Sequence, residues 1–259
     1  MQGRPELTAA TDALSVRVLT LNTHKGFAPF NRRFILPELR EAIRATSADV
    51  VFLQEVLGSH ARHAKRHEAW PTAPQYEFLA ETIWPEFAYG RNSVYPAGHH
   101  GNALLSKYPI VEYENLDVSA TAGERRGLLH CVLAPPGHRQ IHAICVHLGL
   151  AEQHRLSQAA LLYRRLEMTV PDSTPVLVAG DFNDWRLKVH HVLSERTALE
   201  EAFAAIHGEV AKTYPARLPL LRLDRVYLLH ARPRRARVLS AHPWSHLSDH
   251  VSLAVEVEL

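Results

Sequence analysis

Two acids and an amide follow a buried-looking run in Val176-Leu177-Val178-Ala179-Gly180-Asp181-Phe182-Asn183-Asp184. The four apolar residues, bounded by Pro175 and Gly180, predict a fully buried strand that delivers Asp181, Asn183 and Asp184 just beyond its end. A carboxylate only accepts hydrogen bonds, whereas an amide can also donate, so such a group suits a site that positions a water or a phosphate. The local alternative is an Asx-turn, in which Asp and Asn bond their own backbone.

The arrangement recurs along the chain. The alternating run over residues 14–21 ends in Asn22-Thr23-His24-Lys25-Gly26, and the apolar run over 49–53 delivers Glu55. The run over 140–146 ends in His147, Asp224 opens the run to 229, and Asp249-His250 lead into an alternating strand over 251–259. Collected, the polar residues at strand ends are Asn22, Glu55, His147, Asp181, Asn183, Asp224, Asp249 and His250. Acids and amides without thiolates favour a hard divalent cation, Mg2+ or Mn2+. Such a cation clamps phosphate oxygens, and a histidine held by an acid, as His250 by Asp224, supplies a positive charge or a proton. The combination describes hydrolysis of a phosphate ester by water without a covalent intermediate. Against it stand plainer roles: Asn22 as a turn former, Asp224 paired with Arg222 or Arg225, and His147 as a core histidine.

Between these strands, apolar spacing predicts helices over 34–45, over 152–168 and, more briefly, over 188–193 and 199–206. A helical stretch is also expected over 76–84. Residues 59–68 carry His60, His63 and His67 near one helical face. Zinc is one reading of that spacing, but the neighbouring Arg and Lys repel a cation and no acid or thiol completes the set, so a solvated face is expected. Residues 91–100, with Gly98 and His99-His100, read as a functional loop between short strands. Strands joined by helices without strict alternation predict an α+β fold with two sheets and helices outside.

The bounds on class are broad. A chain of 259 residues can bury a sizeable core, and a net charge of +2 neither demands nor excludes a polyanionic partner. Cys131 and Cys145 lie in apolar runs, which predicts buried free thiols in a reducing compartment rather than a disulfide. The first residues are polar, no run approaches a membrane span, and no linker or low-complexity tract interrupts the chain. One cytoplasmic, monomeric domain over 1–259 is the expectation, with 1–13 a flexible arm.

Leu21-Asn22-Thr23-His24, Leu53-Gln54-Glu55, Gly101-Asn102-Ala103-Leu104-Leu105-Ser106, Val146-His147-Leu148, Gly180-Asp181-Phe182-Asn183, Arg222-Leu223-Asp224 and Ser248-Asp249-His250 resemble, in this order, the motif series of the endonuclease/exonuclease/phosphatase (DNase I-like) superfamily. Further, His24-Lys25-Gly26, Phe30-Asn31-Arg32-Arg33-Phe34, Tyr89-Gly90-Arg91-Asn92 and Gly98-His99-His100-Gly101-Asn102 are similar to an uncharacterised bacterial branch of it encoded near cardiolipin synthase.

The resemblance implies a four-layer α/β/β/α sandwich with the site at one edge of both sheets. It makes Glu55 the main metal ligand, helped by Asn22 and Asp249. Asp181 and Asn183 would align or deprotonate the attacking water. His250, oriented by Asp224, would bind the scissile phosphate, and His147 would serve near the leaving group. His24, Lys25, Arg32, Arg33, Arg91, Asn92, His99, His100 and Asn102 are candidate substrate contacts.

On substrate, a nuclease or DNA-end-processing enzyme is the leading reading. It is supported by these basic residues and by the run Arg232 to Arg237, if they line the cleft. Against an abasic-site enzyme, Leu221 stands where such enzymes carry Trp. The alternative is a phosphoesterase of lipid headgroups or small phosphorylated molecules. In that reading the loop with Leu218, Leu220 and Leu221 faces an acyl surface, although a buried loop is the plainer expectation. A binding module without chemistry is disfavoured by the intact set of acids and histidines.

Overall fold

A computed structural model of the chain describes residues 13–31 and 33–259. The expected arm, save Ala13, and Arg32 lie outside the described residues. In chain order the elements are β1 (Ser15–Asn22), α1 (Leu36–Ala45), β2 (Val50–His60), α2 (Ala61–Arg66), α3 (Gln75–Ala80), β3 (Glu86–Tyr95), β4 (Gly98–Ser106) and β5 (Ile110–Asp117). There follow β6 (Gly127–Leu133), β7 (Ile141–His147), α4 (Glu152–Thr169), β8 (Val176–Asp181), α5 (Lys188–Arg196), β9 (Glu200–Glu201) and α6 (Ala202–His207). The last elements are β10 (Asp224–Leu229), β11 (Arg232–Leu239), α7 (Trp244–Leu247) and β12 (Ser252–Glu258).

Two six-stranded sheets form, in the orders β11-β12-β1-β2-β4-β3 and β5-β6-β7-β8-β10-β9. Each has one parallel pair at its centre, β1 with β2 and β7 with β8, and antiparallel neighbours outside. Parallel neighbours need a crossover, and α1 and α4 supply it. The inner faces meet through Val16, Val18, Val50 and Phe52 of one sheet and Leu129, Cys131, Leu177 and Val226 of the other. Outside the first sheet Leu36, Leu39 and Ile43 of α1 and Leu79 of α3 close a second core. Ala159, Leu162 and Leu166 of α4 close a third over the second sheet. This is the expected α/β/β/α sandwich. Cys131 and Cys145 are buried free thiols, as expected.

The two parallel pairs explain where the polar residues gather. Their registers place Asn22 beside Gln54 and His147 beside Asp181, so the carboxyl ends of both pairs lie at one end of the sandwich. Asp224 opens β10 directly opposite Asp181. Crowding at this end is tight enough to require glycine: at Gly180, with φ 146°, a Cβ would lie 2.0 Å from the Val146 carbonyl oxygen.

Four expectations are corrected. Residues 91–100 are not a loop but the ends of the β3–β4 hairpin, paired out to Tyr95 and Gly98, because β2 itself continues to His60 and templates them. The stretch 59–68 is solvated at Ser59, Ala61, Arg62, Ala64, Lys65, Arg66 and Glu68, but its histidines are not on that solvated face. His60, His63 and His67 are half-buried and lie against Phe27, Phe34 and Trp70, with the His63 and Trp70 rings stacked at 5.4 Å. Arg234 and Arg235 of the edge strand β11 pair with Glu258 and Glu256 of β12 rather than lining a cleft. The loop before β10 is buried at Val210, Ala211, Thr213, Ala216 and Leu223, while Leu218, Leu220 and Leu221 are exposed.

Candidate active site

The centre is Asp181, almost fully buried, with three groups converging on its Oδ2. The Asn22 amide donates to that oxygen at 3.2 Å, His147 Nε2 lies 3.6 Å away and His250 Nε2 3.9 Å. The Asn22–Asp181 bond joins the two sheets across their edge. Both the local and the chemical reading of these residues hold at once. Asp181 Oδ1 accepts the Asn183 N–H at 2.9 Å as an Asx-turn, and Asn22 Oδ1 accepts the His24 N–H at 3.0 Å in the same manner. Asn183, at φ 51°, sends its side-chain amide to the Leu148 carbonyl at 2.9 Å.

Asp224 pairs neither with Arg222, which bonds Glu209, nor with Arg225, which bonds Asp184. Its Oδ2 instead lies 2.8 Å from His250 Nδ1, and its Oδ1 is buried without a hydrogen-bond partner. Burial disfavours a charged His250. Asp224, Asp181 and Asp249 outweigh burial and push its pKa up to about 10, so the ring is an imidazolium at neutral pH. Burial, then the negative Asp224, raises Asp181 to about 7, with His250 and the two amide bonds opposing. Burial and the nearby Arg126 push His147 down to about 3 and leave it neutral.

The second cluster surrounds Glu55. β2 bulges between Leu53 and Val56, and Glu55 adopts φ 56°, so the extra residue turns out of the ladder toward the site while Gln54 stays in the core. Burial would raise the Glu55 carboxyl, but His147, Lys25, His100 and His24 together lower it to about 2. The tight turn after β1 aims two basic side chains at two carboxylates: Lys25 Nζ lies 3.3 Å from Glu55, and His24 Nε2 lies 3.9 Å from Asp249. Both residues have positive φ, and Gln75 pins the turn by donating to the Lys25 carbonyl at 2.9 Å.

The donor set fits a hard divalent ion. It is made of carboxylates and amide oxygens, Lys25 already serves as a cation against Glu55, and beside this set one buried carboxylate oxygen of Asp224 has no hydrogen-bond partner. Among the described residues, acid and histidine ligand atoms converge within 4.8 Å at Asp181, Asp224 and His250.

The remaining expected contacts are scattered. His100 is half-buried, and its pKa falls to about 4 through burial and then Lys25, with Glu55 opposing. Asn102 is a buried strut: its amide donates to the Gly127 and Cys145 carbonyls. Asn92 accepts from Asn115, His99 meets the Tyr89 hydroxyl at 2.9 Å, and Arg33 pairs with Glu38 at the start of α1. Arg91 is exposed on β3.

Three supports were invisible to motif reading. Arg126 donates to the same Leu148 carbonyl that holds Asn183, at 3.1 Å, and thereby braces that loop. Asp184 and Arg225 form a fully buried pair at 3.3 Å behind it. Arg155 is buried with its guanidinium 4.6 Å from the Trp185 ring and bonds the Gly149 carbonyl. Only the adjacency of Asp184 to the Asp181–Asn183 turn hinted at any of these.

A sandwich of this topology, with its acids and histidines at one edge, is that of the Endonuclease/Exonuclease/phosphatase family; the family model matches residues 19–250, and the chain belongs to it. It is 54% identical over 250 residues to uncharacterized protein YbhP of Escherichia coli strain K12, covering 96% of this chain and 98% of that one. Among solved structures it resembles an endonuclease/exonuclease/phosphatase from Beutenbergia cavernae, with TM-score 0.75, 20% identity and coverage of 95% and 72%. It also resembles humanized D. rerio TDP2, with TM-score 0.72, 18% identity and coverage of 94% and 98%. The mannosyl-6-phosphatase Bt3783 of Bacteroides thetaiotaomicron matches with TM-score 0.68, 15% identity and coverage of 93% and 99%. At these identities the structural likeness is one of fold.

Proposed function

We propose that the chain is a divalent-metal-dependent phosphodiesterase that hydrolyses phosphate esters by direct attack of water. The observation that carries this is the convergence of Asn22, His147 and His250 on one oxygen of a buried Asp181 beside an imidazolium fixed by Asp224. In this reading Asp181, whose pKa is raised to about 7, takes the proton of the attacking water, and Asn183 orients that water. The His250 imidazolium stabilises negative charge on the phosphoryl oxygens, and Asp224 keeps it charged and aimed. His147, neutral, sits on the side of Asp181 nearer β7 and hydrogen-bonds the leaving oxygen.

Glu55, Asp249 and Asn22 would hold Mg2+ or Mn2+, which when bound acts as a Lewis acid on the ester. Lys25, released from Glu55, and His24 remain within reach of the substrate's phosphate.

The substrate has two readings. A nucleic acid is supported by the fold shared with D. rerio TDP2, one structure of which holds a single-stranded DNA product. A lipid headgroup or small phosphoester is favoured by the exposure of Leu218, Leu220 and Leu221 beside the site and by the engagement of the β11 arginines elsewhere. The test is Mg2+-dependent hydrolysis of a bis-aryl phosphodiester, DNA, RNA and phospholipid vesicles by wild type and Asp181→Asn. Loss of all hydrolysis in the variant supports the reading. An unchanged rate in the variant overturns the role of Asp181, and no hydrolysis by wild type with Mg2+ or Mn2+ overturns the activity.

A further inference from the structure

Large apolar side chains are exposed unevenly on this molecule. The catalytic residues stand at the end of the sandwich reached by the carboxyl ends of β1, β7 and β8, the start of β10 and the β3–β4 hairpin. At that end Val94, Leu150, Trp185, Leu218, Leu220 and Leu221 are all exposed, on four separate segments. Elsewhere the exposed ones, Phe87 on β3, Val111 and Tyr113 on β5, Met168 on α4 and Val238 on β11 among them, lie on the faces of strands and helices.

Folding gains nothing from leaving such residues in water. A few scattered ones are ordinary, but three leucines within four residues of one loop beside a polar site mark a contact surface. Leu218 is 65% exposed and Leu220 57%, in a loop whose inner side is fixed. Ala216 N–H donates to the Asp249 carbonyl at 2.7 Å, and the Tyr214 ring lies 5.1 Å from that of His250. The leucines are therefore held outward on a firm support next to the reacting centre.

The same end carries cations without carboxylate partners. Lys212 and Arg217 flank the leucines in sequence, and Arg62, Lys65 and Arg66 lie on α2 beyond the hairpin; none forms an ion pair among the described residues. Of the acids nearby, Glu209 pairs with Arg222 and Glu124 with Arg126.

We propose that this mouth is an interfacial docking ring that seats the chain on an anionic phospholipid surface, with Leu218, Leu220 and Leu221 entering the acyl boundary and Lys212 and Arg217 meeting the headgroups. Separate apolar side chains projecting around a polar centre suit a fluid amphipathic surface, into which each can insert independently, and binding then scales with apolar area plus attraction to anionic lipid. The three leucine tips offer no ring face on which a nucleobase can stack, and the Trp185 ring already carries the Arg155 guanidinium 4.6 Å from its centroid. Docked this way, the site opens directly onto headgroup phosphodiesters. The consequence for substrate rests on the phosphodiesterase reading, whereas the docking does not.

The test is flotation of the purified full chain with vesicles of phosphatidylglycerol and phosphatidylcholine and with vesicles of phosphatidylcholine alone. A Leu218→Ser/Leu220→Ser/Leu221→Ser variant is run beside wild type, with its thermal unfolding and its hydrolysis of a soluble bis-aryl phosphodiester as controls. Wild type is expected to float with the anionic vesicles, with partition falling as salt rises, and the triple variant to partition about tenfold less while melting and cleaving the soluble diester as wild type does. Absence of wild-type binding to anionic vesicles overturns the proposal. Equal binding by wild type and triple variant also overturns it, as does preference for a single-stranded oligonucleotide over the vesicles. Vesicle binding without hydrolysis of any diester would sustain the docking and remove the phosphodiesterase reading instead.

Discussion

Asp224→Asn isolates the electrostatic core of the site. The wild-type carboxylate lies 2.8 Å from His250 Nδ1, and both side chains are nearly buried, at 1% and 8% exposure. A unit-charge pair at that distance is worth roughly 6 kcal/mol at an effective dielectric of about 20, which corresponds to roughly four pH units of proton affinity. Asn keeps the size and the hydrogen bond but not the charge, so the His250 value of about 10 should fall to within about one pH unit of its ordinary 6.5, with Asp181 and Asp249 still holding part of it up.

The sign for stability follows from the raised value. Because folding raises the His250 pKa, its protonation stabilises the native state fully below about 6.5, and that contribution is lost as pH climbs from there to about 10. In Asp224→Asn the alkaline loss should shrink, since less is gained at neutral pH to begin with. The assay is NMR titration of the His250 Cε1–H, with denaturant unfolding followed from pH 6 to 10. Hydrolysis of a soluble phosphodiester at pH 7.5 should drop by about 10²-fold if the imidazolium stabilises the reacting phosphate. A His250 that still titrates near 10 in the variant would refute the assignment of its charge to Asp224.

Asp181→Asn should lower kcat by about 10²- to 10⁴-fold. In wild type the acid limb of the pH–rate profile should lie near the Asp181 value of about 7; a limb near 4 would exclude Asp181 as the titrating base. Lys25→Met should tighten Mg2+ or Mn2+ binding about tenfold by calorimetry, since a cation 3.3 Å from Glu55 is worth about 1.3 kcal/mol even at the dielectric of water, and unchanged affinity would show that Lys25 does not compete. Asp184→Asn should cost about 3–5 kcal/mol in urea unfolding, because it strands Arg225 as a buried unpaired cation; a loss under about 1 kcal/mol would mean that other groups compensate that charge.

The polar residues at strand ends were legible because each follows or precedes an apolar run short enough to be only a strand. Asp181, His147 and Asn22 sit where their strands end, and Asp224 where its strand begins. Glu55 was legible as an acid but not in its setting, since β2 runs on to His60 and the bulge that turns the carboxylate is a feature of pairing with β4. Residues 91–100 read as a loop because Gly, Pro and His there give no period of two. They extend as strands because the ladder of β2 reaches that far and because Gly101 admits a close approach, where a Cβ would lie 1.8 Å from the Gly90 carbonyl oxygen. The histidines of 59–68 looked solvated for want of a partner, yet their partners Phe27 and Phe34 arrive from more than thirty residues upstream. Arg225 and Asp184 lie 41 residues apart, and no local pattern announces such a pair.

Part of the backbone strain falls on residues of the site. His24, Lys25, Glu55 and Asn183 all have φ between 45° and 57°, conformations that cost of order 1–3 kcal/mol each for residues other than glycine. Three are held from outside their own segments, Lys25 by Gln75, Asn183 by Leu148 and Glu55 by the bulged ladder between β2 and β4, while His24 is held within its turn by Asn22 and the Phe27 carbonyl. In an unstrained ladder the Glu55 side chain would alternate with Gln54 and Val56 and would lose its approach to Lys25. Sheet pairing holds the Glu55 bulge, and side-chain bonds fix the turn that aims Lys25 at it, so the cation pair at Glu55 and the buried acid at Asp181 are set by separate pieces of the fold. Asn22 and His147 both tie them: the Asn22 amide donates to Asp181 at 3.2 Å across the seam between the sheets, and His147 lies 3.6 Å from Asp181 while lowering the Glu55 pKa. A change at the Glu55 cluster therefore reaches the proton of Asp181 through these two side chains.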